Sequence, residues 1–329
     1  MWALGLTILL VKMGLVLGVV FLTAAYLILA ERKLLGRMQI RLGPNRAGWG
    51  GILQPIADGL KVLLKEDVMP EGADRIIFRI APAVVAGSAL MILAVIPFGR
   101  EMTLWGHRVP LVITDLNVGL LFVFAMASLA VYGVALGAWA SGSKYSILGG
   151  VRGAAQMISY ELALGLSLVP VVMLAGSFSL VDIVEAQARY PFILAQPVAF
   201  VLFLVASAAE SKRLPFDLPE AENELLAGYH TEYSGMRFAL YFVGEYVHMV
   251  VLGALVAIFF LGGWRGPWLP PALWLFLKSL IVPFFLIWTR ATLPRLRYDQ
   301  LMAFGWKLLL PVALVNILLT GAVLLWIRL

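Results

Sequence analysis

The chain has 329 residues, 62% hydrophobic and 13% charged, with a formal net charge of +6 and a mean hydropathy of +0.93. A globular chain carries about a quarter charged residues, and a single soluble core cannot absorb this much apolar side chain, because small domains leave much of their surface wet. The solvent is therefore lipid, and the surplus of Lys and Arg reads as a topology signal, which sets nucleic acid aside as a partner.

In chain order, apolar runs fall near 3–30, 80–99, 117–140, 155–176, 196–210, 236–262, 271–289 and 307–327. A bilayer crossing takes about 20 such residues. The pattern predicts an all-α integral membrane protein of about eight transmembrane helices, the fifth the shortest, in one domain over 1–329. The first run is a permanent span and not a secretory leader, because its basic cluster (Arg32, Lys33, Arg37, Arg41) follows the apolar stretch. Of the 25 Lys and Arg residues, 18 lie after spans one, three, five and seven, and 5 on the opposite side. The positive-inside rule then places both termini outside the cytoplasm.

Residues 31–79 are too patterned for a plain connector. Leu53, Ile56, Leu60, Leu63 and Leu64 repeat at helical spacing, with Gln54, Asp58, Lys61 and Lys65 on the other side. Pro55 suits a first turn. This predicts an amphipathic interfacial helix over 52–65, too short to cross. It serves either as a surface anchor or, with the Gly43-Pro44-Asn45 turn and its flanking arginines, as the floor of a funnel for an amphiphile with a polar head.

Acids in the apolar runs are the strongest signal. Glu161 is expected roughly 10 Å into span four and Glu245 roughly 14 Å into span six at the standard helical rise, while Glu210 closes span five. A lone ionised carboxylate at such depth costs several kcal/mol, so each must be neutral, paired or wet. Together they read as a proton path. The cytoplasmic loop 211–235 adds Asp217, Glu220, Glu222 and Glu224 in eight positions, then Glu232. In extended geometry the three alternate glutamates fall on one side, and like charges so close raise one another's pKa. Lys278, inside span seven, either pairs with a neighbouring carboxylate or snorkels. His248 reads as a packed polar residue rather than a relay. Trp105, Trp264, Trp268 and Trp306 read as an interface belt.

No cysteine is present, which excludes disulfides, Cys-ligated iron–sulfur clusters and a thiol nucleophile. His107, His230 and His248 stand at no metal-ligand spacing. No metal, bound cofactor or catalytic residue is expected from this chain alone.

Several strings together resemble the H subunit of NADH:quinone oxidoreductase, respiratory complex I. They are Ala30-Glu31-Arg32-Lys33, Arg41-Leu42-Gly43-Pro44-Asn45-Arg46, Leu53-Gln54-Pro55-Ile56-Ala57-Asp58-Gly59-Leu60-Lys61, Ser159-Tyr160-Glu161, Leu214-Pro215-Phe216-Asp217-Leu218-Pro219-Glu220-Ala221-Glu222, Glu232-Tyr233-Ser234-Gly235-Met236 and Arg290-Ala291-Thr292-Leu293-Pro294-Arg295-Leu296-Arg297-Tyr298-Asp299-Gln300. They run in order from about residue 25 to 310.

The resemblance implies a non-redox heel subunit of a proton-pumping translocase, taking its electrons from an iron–sulfur cluster in a neighbouring subunit. Its partners would be the peripheral iron–sulfur and quinone-site subunits, the small membrane subunits and the antiporter-like subunits, in a bacterial inner membrane or equally an organellar one. Quinone, ubiquinone or menaquinone, would be substrate and not a held cofactor. Its portal and chamber would involve Arg32, Arg41, Asp58, Lys61, Arg290, Arg295 and Arg297. A carboxylate channel towards the antiporter-like subunits would involve Glu31, Glu161, Glu210, Asp217, Glu220, Glu222, Glu224, Glu232 and Glu245. Some members carry an acid within the third span; here Asp115 only precedes it. The same buried acids also fit a related subunit of an energy-converting hydrogenase or other-donor dehydrogenase, or a free-standing proton transporter; a structural anchor would explain the charged loops but leave the buried acids without purpose. The absence of an inverted repeat counts against the transporter.

Overall fold

The computed structural model describes residues 2–104, 107–220 and 222–328, without the side chains of residues 2–4, 102–104, 107, 108, 222, 223 and 328. Helix α1 (Trp2–Met38) leads through the first loop to α2 (Gln54–Leu64) and α3 (Arg75–Ile92). A short antiparallel hairpin follows, β1 (Glu101–Leu104) and β2 (His107–Pro110). Then come α4 (Gly119–Ala140), α5 (Lys144–Ala175), α6 (Leu180–Ala186), α7 (Phe192–Ala195), α8 (Pro197–Glu210), α9 (Glu222–Leu225), α10 (Gly235–Phe260), α11 (Pro271–Ser279), α12 (Ile281–Thr292), α13 (Tyr298–Phe304) and α14 (Leu310–Arg328). The protein is an all-α integral membrane protein apart from the hairpin. Trp105 lies outside the described residues.

Among the described residues seven helices are long and apolar enough to cross a membrane, and α8, with 14 residues, is not. At 1.5 Å per residue α8 covers roughly 21 Å, less than a hydrocarbon core. The chain breaks at Gln196, whose φ of −132° and ψ of 57° leave the helical region. Its side chain instead donates to Thr320 at 2.9 Å and accepts from Asn316 at 3.2 Å, tying the start of α8 to α14. The expected fifth span is thus a helix of about two-thirds the crossing length, and its far end carries Glu210 to the cavity described below.

Helix α10 is the hub. Of its most apolar stretch 83% is buried, against 17% for the last span, so the outer helices leave their apolar sides to lipid or to other chains. Backbones approach closely around it: a Cβ on Gly253 would stand 1.9 Å from the Ser279 carbonyl oxygen. The loops fall into two groups. At one end Val68 N donates to Ser234 Oγ at 2.9 Å, and Arg237 pairs with Asp67 at 3.1 Å. At the other, Lys12 donates to the carbonyls of Pro110 and Val112 at 3.0 and 2.9 Å. Among the described residues Lys278 pairs with no carboxylate; its ammonium reaches the loop beyond α10 and donates to the carbonyls of Leu261, Gly263 and Arg265 at 2.6–2.9 Å. It satisfies the orphan acceptors beyond the end of α10.

Candidate functional site

The first loop places its two halves against each other. Arg32, near the end of α1, donates to Asp58 of α2 at 2.7 Å, and Gln54 holds the other Asp58 oxygen at 2.9 Å. Lys33 is hydrogen-bonded to the Gly50 carbonyl. The turn between them needs glycine: Gly51 has φ of 85°, and a Cβ there would lie 2.3 Å from the Pro44 carbonyl oxygen. Helix α2 forms within the expected 52–65, with Ile56, Leu60 and Leu63 exposed. Arg41, Lys61 and Arg297 are also exposed. Arg297 pairs only with Asp299, at 3.2 Å, and no ion pair forms at Arg41 or Lys61 among the described residues. The structure therefore joins Arg32 and Asp58 and leaves the other three at the surface.

Deeper in, Glu31 is buried and clamped. Arg213 Nη1 reaches its two oxygens at 3.0 and 3.3 Å, Tyr246 Oη donates at 2.6 Å, and Arg290 pairs with it as well. Beside it Arg295 pairs with Asp217 at 2.9 Å. Among the described residues Arg213 Nε and Nη2 and Asp217 Oδ1 are buried without a hydrogen-bond partner. Such atoms are costly to leave unmet, so this is where a polar group from outside the chain is best received. Burial raises the pKa of Asp217, opposed by Arg295 and Arg290.

The acidic loop departs from the extended geometry expected of it. Residues 222–225 form one helical turn, so alternate glutamates diverge by about 200° instead of sharing a side. Glu224 turns outward to pair with Arg152 at 2.8 Å. The side chain of Glu222 lies outside the described residues. Glu232 is partly buried and has no charged partner among the described residues. Glu220 is also partly buried, and burial, then the nearby Glu245 and Asp217, push its carboxyl well above the ordinary range. Burial likewise raises the Tyr229 hydroxyl and holds the His230 imidazole down at about 4.

Past this loop lies a cavity of about 40 Å³, whose lining includes Glu161, Glu210, Lys212, Glu245, His248 and Ser88. A water needs roughly 10–15 Å³, so two or three fit. Glu245 accepts from Tyr229 at 2.7 Å and pairs with Lys212 at 3.1 Å. Glu210 lies 3.5 Å from His248 Nε2. Ser128 is hydrogen-bonded to Glu161, and no cation pairs with Glu161 among the described residues. A second space of about 10 Å³ continues from Glu210 and His248 but is walled by Phe124, Phe203 and Phe259.

One expectation about these acids changes. Helix α5 starts at Lys144 and not at 155, because Gly149, Gly150, Gly153 and Gln156 interrupt the apolar pattern without breaking the helix. Glu161 therefore sits mid-helix rather than two turns from an end. His248 packs against Glu210 within the bundle, at the border of the two spaces. Residues not singled out from sequence also belong here: Lys212, Arg213, Tyr229, Tyr246, Ser128 and His230. The one local signal is Lys212-Arg213 directly behind Glu210, easily taken for ordinary topology charges.

A family model described as NADH dehydrogenase matches residues 11–321. The second H subunit of the NADH-quinone oxidoreductases of Syntrophobacter fumaroxidans is 67% identical, over 99% of this chain and 98% of its own length. The corresponding H subunit of Syntrophotalea carbinolica and the first H subunit of Geobacter metallireducens are each 62% identical, over 98% of both chains. The chain belongs to the H-subunit family of the NADH-quinone oxidoreductases.

Proposed function

We propose that the chain is the membrane subunit of a proton-translocating NADH-quinone oxidoreductase that admits quinone to its chamber and carries the resulting charge change into the membrane along a line of carboxylates. The observation that carries this is the unbroken order of polar groups. Arg32 and Asp58 stand at the surface, with Glu31, Arg213, Arg290, Arg295 and Asp217 behind them. Glu220, Tyr229 and Glu245 follow, and then the cavity of Glu161, Glu210 and His248. The exposed apolar face of α2 beside Arg32 and Asp58 supports the portal: it offers a floor for a prenyl tail, and the pair offers a polar site for a head group. The unmet atoms of Arg213 and Asp217 support a quinone head, or water around it, in the chamber.

Reduction of a quinone to a quinol takes up two electrons and two protons. Drawing those protons from near Asp217 and Glu220 leaves negative charge there, which favours protonation of carboxylates further along. The aromatic wall beyond Glu210 and His248 leaves little polar continuation on that side of the cavity. The charge asymmetry of the loops supports both termini on the side away from the cytoplasm, and the bacterial sources of the relatives support an inner membrane, with those termini periplasmic. The partners in this reading are the peripheral and antiporter-like subunits of the complex.

Glu161→Gln in the assembled complex tests it. Pumping and quinone reduction are expected to fall by roughly 10²-fold, the scale of a lost proton-transfer group, while NADH:ferricyanide reduction, which bypasses quinone, persists. Full turnover and pumping in that variant would overturn the channel.

A further inference from the structure

The cavity holds three carboxylates and one ammonium, and nothing so far has used the ammonium. Lys212 follows Ser211, which caps the C-terminus of α8. Its φ of 53° places it in the left-handed region, where a helix of this kind ordinarily ends on glycine. A lysine side chain is long enough to carry its charge back to water. This one does not: the side chain is 6% exposed, and Nζ lies 3.1 Å from Glu245 Oε1 and 3.0 Å from Tyr229 Oη. Tyr229 in turn donates to that same Oε1 at 2.7 Å, so lysine, tyrosine and glutamate close a small ring. Lys212 is the one ammonium or guanidinium lining the cavity among the described residues.

We infer that Lys212 is a positioning residue that sets the charge of the cavity: its ammonium is the fixed counter-ion of Glu245, and it leaves Glu161 and Glu210 as the groups that take up and release protons. The inference rests on the proton-path reading above. It follows from charge balance. A buried carboxylate with an ammonium in contact keeps its charge at least cost when both stay in place, whereas Glu161 has a hydroxyl partner and Glu210 an imidazole. The groups facing Lys212 are Glu245 and, across the cavity, Glu161, Glu210 and His248, with His230 and Glu220 reaching it from the loop. Arg213, its neighbour in sequence, is ion-paired to Glu31 and is the next positive charge near Glu245 after Lys212. Removing the ammonium therefore leaves the negative charge of the cavity without its contact cation.

The experiment compares Lys212→Gln and Lys212→Arg in the purified complex, reading NADH:ferricyanide reduction for assembly and the pH profile of NADH:quinone reduction for charge. Lys212→Gln is expected to move the acidic limb of that profile upward by roughly one to three pH units, the effect of one lost neighbouring charge, and Lys212→Arg to restore it. An assembled Lys212→Gln complex with the parental profile would overturn the inference, since a purely structural lysine lowers yield and moves no titration. If Lys212→Gln does not assemble, Glu245→Gln is added to it. Recovery of assembly supports the counter-ion role, and failure to recover overturns it. Glu161→Gln run in parallel separates the two readings: full coupling there removes the channel, whereas a dead Glu161→Gln beside an unshifted Lys212→Gln removes only the inference.

Discussion

Glu31 and Glu161 are both glutamates on long apolar helices, and the protein treats them in opposite ways. Glu31 is met by two guanidinium groups and a phenol. Glu161 is met by the Ser128 hydroxyl, at the edge of a space large enough for water. A carboxylate held between fixed cations has its charge answered whatever else happens, and serves as architecture. A carboxylate answered by a hydroxyl, with water in reach, keeps both protonation states open. The difference teaches that burial of an acid does not by itself mark a proton carrier; the partner decides.

Substituting the clamped acid tests the contrast at its strongest. Glu31→Ala leaves Arg213, with 10% side-chain exposure, without an ion-pair partner among the described residues. Removing one member of a buried pair costs about 3–5 kcal/mol, most of it through Arg213, because Arg290 is 36% exposed and water screens it. The amount of assembled complex in membranes should fall steeply, whereas Glu161→Gln should assemble as the parent does and fail only in coupling. Equal assembly of the two variants would erase the distinction.

The loop between the two sites offers a smaller effect, read by pH. Glu220 has its pKa raised in the folded chain by burial, ahead of its acidic neighbours. A group raised on folding contributes stability below its unfolded value and loses it as pH rises through the folded one. His230 is lowered to about 4 by burial, so its contribution is present above its ordinary 6.5 and is lost as pH falls towards 4. The two slopes oppose each other in the parent. Glu220→Gln removes one and exposes the other: hydrogen exchange across 213–234 should show protection falling more steeply below about pH 6.5 in the variant than in the parent. Parallel curves would show that Glu220 does not titrate against the fold.

Much of this was legible in the sequence, for identifiable reasons. Helix α2 could be read because its period is local, and Glu161 and Glu245 stood out because a charge inside an apolar run is anomalous. The partners could not be read. Tyr229, Tyr246 and Ser128 are unremarkable in an apolar background, and their hydroxyls matter only through contacts 16, 215 and 33 residues away in sequence. Lys212 and Arg213 looked like topology charges because that is what Lys and Arg beside a span usually are. The one-sided arrangement of the loop glutamates failed because it assumed strand geometry for residues 222–225, which form a helical turn. The shortness of α8 was legible in its 196–210 apolar run, but the ties of Gln196 to Thr320 and Asn316 on α14 are tertiary facts with no local trace.

The mildest perturbation sharpens the contrast from the other side, at a pair that is neither clamped nor enclosed. Arg32 and Asp58 meet at 2.7 Å but are 49% and 33% exposed, and a surface pair of this kind contributes about 0–1 kcal/mol. Arg32→Ala and Asp58→Asn should therefore leave assembly and NADH:ferricyanide reduction as they were. If the pair guides a quinone head over the apolar floor of α2, each variant should raise the apparent quinone KM or abolish quinone turnover. The loss should be larger for Asp58→Asn than for Lys61→Ala, because Lys61 stands exposed on the same helix without a charged partner among the described residues. Unchanged quinone kinetics in both Arg32→Ala and Asp58→Asn would remove the pair from the portal and return α2 to the simpler role of an interfacial anchor, whose exposed Ile56, Leu60 and Leu63 need only lipid.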